Sequence, residues 1–211
     1  MFKTGGICVF IWVFFILYFH VLRHPVRPVT IMPLTALDRM IPFQPQALFP
    51  YLSLWFYLGT APGLLLTFRE LLAYGLWAAA LCGFGLACFH FWPTAVPPHG
   101  FDVSGHAGFA MLQGVDSTGN VCPSLHVATA MFTAIWVEHL LRRLRMPPGL
   151  RLLNAAAFAA IAYSTLATKQ HVVLDALAGA ALGVVFALAA LRWSPASVNL
   201  KGKMGNGIPV F

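Results

Sequence analysis

Residues 71–92 read LLAYGLWAAALCGFGLACFHFW, twenty-two positions without one Asp, Glu, Lys or Arg. A helix needs roughly 20 predominantly apolar residues to cross the hydrocarbon core of a bilayer, so this stretch reads as a membrane span. The pattern recurs on both sides of it. Apolar runs at about 6–23, 50–68, 123–141, 150–168 and 171–193 bring the expected transmembrane helices to six. The first run exceeds the ~7 to 15 residues of a signal-peptide core and no A-x-A-like site follows it, so it is expected to stay attached.

Composition agrees with that reading. Of 211 residues, 59% are hydrophobic and 9% charged, with a mean hydropathy of +0.78, whereas soluble domains carry about 25% charged residues. The fold expectation is all-α: one polytopic membrane helical bundle over 1–193, then a flexible C-terminal tail over 194–211. The formal charge of +7 does not indicate nucleic acid, because the basic residues stand at the ends of apolar runs rather than on an aromatic-interleaved surface. Cys8, Cys82, Cys88 and Cys122 have no paired spacing of a zinc or redox site, and no disulfide is expected.

Basic residues in short loops set orientation. Lys3, Arg69, Arg142, Arg143, Arg145, Arg151, Arg192, Lys201 and Lys203 share one side, and Arg23, Arg27, Arg39 and Lys169 the other, a split of nine against four. Both termini are therefore expected in the cytoplasm. Two long loops, about 24–49 and 93–122, fall on the outer side, and loops of that length are often functional. His99, Asp102, His106 and Asp116 lie in the second loop, where pocket-shaping and structural roles are both open.

Chemistry concentrates at one level of the bundle. Pro123 opens the fourth span, which places Ser124 and His126 at a helix N-terminus, where free N–H groups and the helix dipole favour an anion. From there two helices of spanning length return the chain to the same face near Thr168. His171 follows immediately, so His126 and His171 are expected at one membrane level. His171 and Asp175 are four residues apart and share a helical face. A carboxylate bonded to one imidazole nitrogen orients the ring and leaves the other nitrogen available for attack. Gly179 and Gly183 continue that stripe, a spacing that lets a neighbouring helix approach closely.

A lone Ser-x-His or His-x3-Asp is usually structural. Ionisable residues beside a membrane span are costly, however, and two such pairs at one level favour function.

These residues resemble the type 2 phosphatidic acid phosphatase superfamily, with its Pro-Ser-x-His motif and its Ser-Arg-x5-His-x3-Asp motif. Pro123-Ser124-Leu125-His126 matches the first of these, and Ser164-Thr165 with His171 and Asp175 matches the spacing of the second. The resemblance implies that His171 attacks phosphorus to give a phosphohistidine, Asp175 orients it, and His126 protonates the leaving alkoxide. It implies phosphate contacts from Ser124 and Ser164, and no metal or cofactor. Thr165 stands where the family has Arg and is the candidate for that position's phosphate contact, and the family's Lys-x6-Arg-Pro motif is missing before Pro123; no Lys or Arg occurs from Glu70 to Leu141. Positive charge must therefore come from elsewhere, and Lys169 is the nearest candidate for a phosphate contact, its alternative role being a snorkelling charge at a span boundary.

The function expected is an integral membrane lipid phosphatase, metal-independent, acting on a phosphomonoester or diphosphate lipid at the non-cytoplasmic face of, by expectation, a bacterial inner membrane. Its partners would be the phosphorylated lipid and the surrounding membrane lipids, with oligomeric state left open. An alternative is a headgroup phosphotransferase similar to inositol phosphorylceramide or sphingomyelin synthases, which also lack the basic motif. Less favoured are a proton-coupled transporter using His171 and Asp175 as a relay, and an intramembrane serine protease, since Ser124 has no Gly-x-Ser-Gly setting.

Overall fold

The computed structural model describes residues 2–98 and 119–193, which are mostly helical. Helix α1 runs Phe2–Arg23, followed by strand β1 (Thr30–Ile31) and the short helix α2 (Ala36–Met40). A 3-10 turn at Pro45–Ala47 leads into α3 (Leu48–Leu58), α4 (Thr60–Leu64) and α5 (Phe68–Phe91). Strand β2 (Thr94–Ala95) pairs in parallel with β1, Thr30 opposite Thr94 and Ile31 opposite Ala95. Helices α6 (Leu125–Arg143), α7 (Pro148–Ala167) and α8 (Val173–Trp193) complete the bundle.

Four helices among the described residues are long and apolar enough to cross a membrane: Gly5–Arg23 within α1, then α5, α7 and α8. The expected span at 50–68 is instead two helices broken at Gly59. The cause is Pro62, which has no N–H to give the Leu58 carbonyl and whose ring crowds that group. Helix α6 is 19 residues long but ends in Glu138, Arg142 and Arg143, which lowers its apolarity. The tail from 194 and the loop residues His99, Asp102, His106 and Asp116 lie outside the described residues.

Helix α6 is the hub of the bundle. One side packs on α5 and α8 through Leu81, Phe89, Phe132, Trp136 and Ala187. Its other side meets α3 and α7 through Leu54, Ala130, Ala134 and Ile161. A helix enclosed by protein does not need an apolar surface all round, and buried Thr133 illustrates the consequence: its hydroxyl bonds Tyr74 Oη at 3.1 Å. The outward faces are apolar instead. Trp12, Leu76, Leu153 and Val185, on four different helices, are between 62% and 67% exposed, as expected of helices whose outer faces meet lipid.

Contact between α6 and α8 is backbone to backbone. A Cβ on Gly179 would overlap the Ser124 carbonyl oxygen, and one on Gly183 would overlap that of Ala128. The small-residue stripe expected from the sequence thus seats α8 against the start of α6. At the far end of the bundle, Glu70 pairs with Arg143 and Glu138 with both Arg142 and Arg151, joining α5, α6 and α7. Glu138 and Arg142 stand four residues apart on one helix; the other two pairs cross between helices.

Candidate active site

Ser124 caps α6 by accepting the Val127 N–H at 3.2 Å, while its own N–H donates to the Asp175 carbonyl at 3.0 Å. The N-terminus of α6 is thereby tied to the first turn of α8. In the first turn of α6, His126 stacks on Tyr51 with ring centroids 4.1 Å apart. His126 Nε2 lies 3.2 Å from the Tyr51 carbonyl oxygen. A carbonyl only accepts, so Nε2 carries the proton in this arrangement.

His171 sits in the loop between α7 and α8, where its N–H donates to the Thr165 carbonyl at 3.1 Å. Its Nδ1 is 3.3 Å from Asp175 Oδ2, with the carboxylate fully buried and the imidazole 11% exposed. Asp175 Oδ1 accepts the Val172 N–H at 3.1 Å. That second bond holds the carboxylate plane and directs its other oxygen at the ring. The His126 and His171 rings lie 6.5 Å apart at an angle of 52°. Two residues 45 positions apart are brought together because α6 and α7 form the hairpin that the sequence implied.

Both histidines line a cavity of about 460 Å³ that opens among Phe10, Phe14, Trp55 and Leu58. A second cavity of about 450 Å³ shares Phe10, Ile11, Trp55 and Thr129 with it, so an apolar groove continues from the histidines between α1, α3 and α5. No Lys or Arg lines either cavity among the described residues.

The residues expected to hold phosphate are placed differently. Ser164 Oγ donates to the Ile161 carbonyl at 2.6 Å and Thr165 Oγ1 to that of Ala162 at 2.8 Å, both residues being fully buried. Thr165 serves the site through its carbonyl, which receives the N–H groups of Gln170 and His171. Lys169, at φ 58°, turns its ammonium to the carbonyls of Asp38 at 2.9 Å and Ile41. None of Ser124, Ser164, Thr165 and Lys169 lines the cavity. Burial holds the Lys169 ammonium below the usual lysine value, partly offset by Asp38. Burial likewise pushes the Cys122 thiol up to about 11, so it is no thiolate at neutral pH.

Three residues near the site were not singled out from sequence. Asp38 joins α2 to α8, Tyr51 holds His126, and Asn120 lines the cavity beside both histidines. Tyr51 and Asp38 carry no local signal, and Asn120 reads only as a turn residue. Among the described residues, no group of three or more His, Cys, Asp or Glu is placed to hold a metal ion.

A family model described as the PAP2 superfamily matches residues 45–199, well over half of the chain, a span that includes Ser124, His126, Ser164, His171 and Asp175. No curated protein and no solved structure matches the chain.

Proposed function

Since the chain belongs to the PAP2 superfamily, whose members are phosphatases and phosphotransferases, we propose that it is a membrane lipid phosphatase working through a phosphohistidine. The His171 nitrogen opposite Nδ1 attacks phosphorus, forming an N–P bond as the P–O bond to the lipid breaks. Asp175 accepts from Nδ1 and stabilises the imidazolium that develops. His126 gives its proton to the departing alkoxide, then takes one from the water that attacks phosphorus, and the N–P bond breaks to release phosphate. For this His126 must exchange the Tyr51 carbonyl for the substrate oxygen.

The observation that carries the reading is the facing of His126 and His171 at 6.5 Å, with buried Asp175 behind one of them. The apolar groove leading from the histidines supports a substrate with hydrocarbon chains, reaching the site laterally from the bilayer. The split of basic residues favours a site on the non-cytoplasmic face. Phosphate release in detergent over a panel of lipid phosphates and diphosphates tests the proposal, with His171→Ala and a chelator alongside. Retention of activity by His171→Ala on every lipid the parent hydrolyses would sink it, and chelator sensitivity would remove its metal-free form.

The lack of Lys and Arg around the cavity favours a second reading. A phosphodiester carries one negative charge where a monoester carries two, so a weakly cationic site suits transfer of a headgroup between lipids. Labelled headgroup appearing in a second lipid, rather than as free phosphate, identifies that activity.

A further inference from the structure

Asn120 belongs to the turn that delivers the chain to α6. Its backbone is left-handed, at φ 56°, a conformation that Asn adopts more readily than most residues and Gly adopts freely. The turn is held rigidly from behind. Thr94 Oγ1, fully buried on β2, accepts the N–H groups of Val121 at 3.2 Å and Cys122 at 2.8 Å. Gly119 forms a bridge with Ala95. Everything the turn requires is therefore supplied by backbone geometry and by Thr94.

The Asn120 carboxamide is left over. The residue is only 6% exposed, and its Nδ2 has no hydrogen-bond partner among the described residues. A buried amide without a partner is costly and calls for an explanation. Asn120 also lines the cavity with His126, Gln170 and His171. Among the described residues no hydrogen bond fixes which end of the amide faces that space, and rotation about the terminal bond of an Asn is soft. The NH₂ group can therefore turn to any acceptor brought between the histidines.

We propose that Asn120 donates to a non-bridging phosphate oxygen of the substrate and is a phosphate-binding residue of this site. The inference rests on the reading of His171 as the nucleophile. It answers how the site stabilises its phosphoryl group while Ser164, Thr165 and Lys169 direct their side chains to backbone carbonyls. A neutral amide carried on a rigid turn can aim its NH₂ at the oxygens on which charge develops, the role that side-chain amides play as oxyanion donors. The donor is neutral, so part of the phosphate charge stays uncompensated by this residue.

Two substitutions keep the left-handed backbone and change only the donor: Asn120→Gly and Asn120→Asp. A structural amide would tolerate the isosteric Asp better than Gly. A phosphate donor reverses that order, because a carboxylate repels the anion. The readouts are kcat and KM for phosphate release, the thermal unfolding temperature in detergent, and the rise in that temperature on adding orthovanadate, a mimic of the pentacoordinate transition state.

The expected result is a loss of roughly 100-fold in kcat for Asn120→Gly and a greater loss for Asn120→Asp. Both variants should unfold near the parent temperature without ligand and gain less from orthovanadate. Variants that gain as much as the parent overturn the inference and leave the phosphatase reading standing. So does an Asn120→Asp variant more active than Asn120→Gly. A parent that neither releases phosphate nor responds to orthovanadate overturns both.

Discussion

The carboxylate of Asp38 accepts the backbone N–H of Val173 at 2.8 Å, a bond that spans 135 positions of sequence. Val173 is the first residue of α8, whose leading N–H groups have no partner inside the helix. Asp38 thus caps, from another segment, the helix that carries Asp175. Its other oxygen accepts from the Thr35 N–H and hydroxyl, each at 2.7 Å, and its carbonyl receives Lys169. Asp38→Ala removes this anchor and is expected to cost about 1–3 kcal/mol of stability. Thermal unfolding in detergent measures the loss, and an unchanged transition would show that the latch bears no load.

The Lys169 ammonium shares in that latch. Lys169→Met should lower the unfolding temperature while changing kcat/KM by less than about tenfold. Burial depresses the ammonium's pKa in the folded state. Between that depressed value and the ordinary ~10.4, the unfolded chain binds more protons than the folded one, so stability rises with pH across the window. Lys169→Met should lose this rise. A large increase in KM with unaltered unfolding would instead identify Lys169 as a phosphate contact.

Asp175 accepts from Val172 and faces His171 at once. In Asp175→Asn one of those two acceptors becomes an NH₂ donor, and the ring is held in the wrong tautomer or left unheld. By analogy with the corresponding change in a serine-protease triad, kcat should fall by about 10³ to 10⁴, with far less change in KM. Steady-state kinetics on whichever lipid phosphate the parent hydrolyses decides this, and a fall below tenfold rules out the orienting role.

Gly179 and Gly183 have no room for a methyl group, whereas Gly75 and Gly83 of α5 have nothing within 4 Å of an added Cβ. Gly179→Ala must push α8 away from the Ser124 carbonyl, at a cost of about 1–3 kcal/mol, and it should reduce activity because His126 rides on α6 while Asp175, which holds His171, rides on α8. Gly75→Ala and Gly83→Ala should instead be neutral or stabilising by up to about 1 kcal/mol through helix propensity. Equal unfolding temperatures for all three variants would contradict the packing.

Some of this organisation is readable along the chain. Helices α5, α7 and α8 begin and end within three residues of the apolar runs at 71–92, 150–168 and 171–193. Such runs are read directly because span length and helical hydrogen bonding are local properties. The break after Leu58 had its signal in Pro62, but the surrounding apolar residues dominated the pattern. Helix α6 carries a weaker signal for the opposite reason: protein surrounds it, so lipid does not dictate its surface.

The sequence by itself determined the helical bundle, the apolar exterior, and the meeting of His126 with His171, because two successive helices of spanning length must return the chain to its starting level. Tertiary structure alone decided which way the polar groups around that meeting point turn. Lys169 stands two residues from His171 in the chain, yet its ammonium bonds the carbonyls of Asp38 and Ile41, while Asn120, a turn residue by sequence, lines the cavity. Helical periodicity fixes where a Cβ lies. The direction of the group at its far end depends on partners more than a hundred residues away.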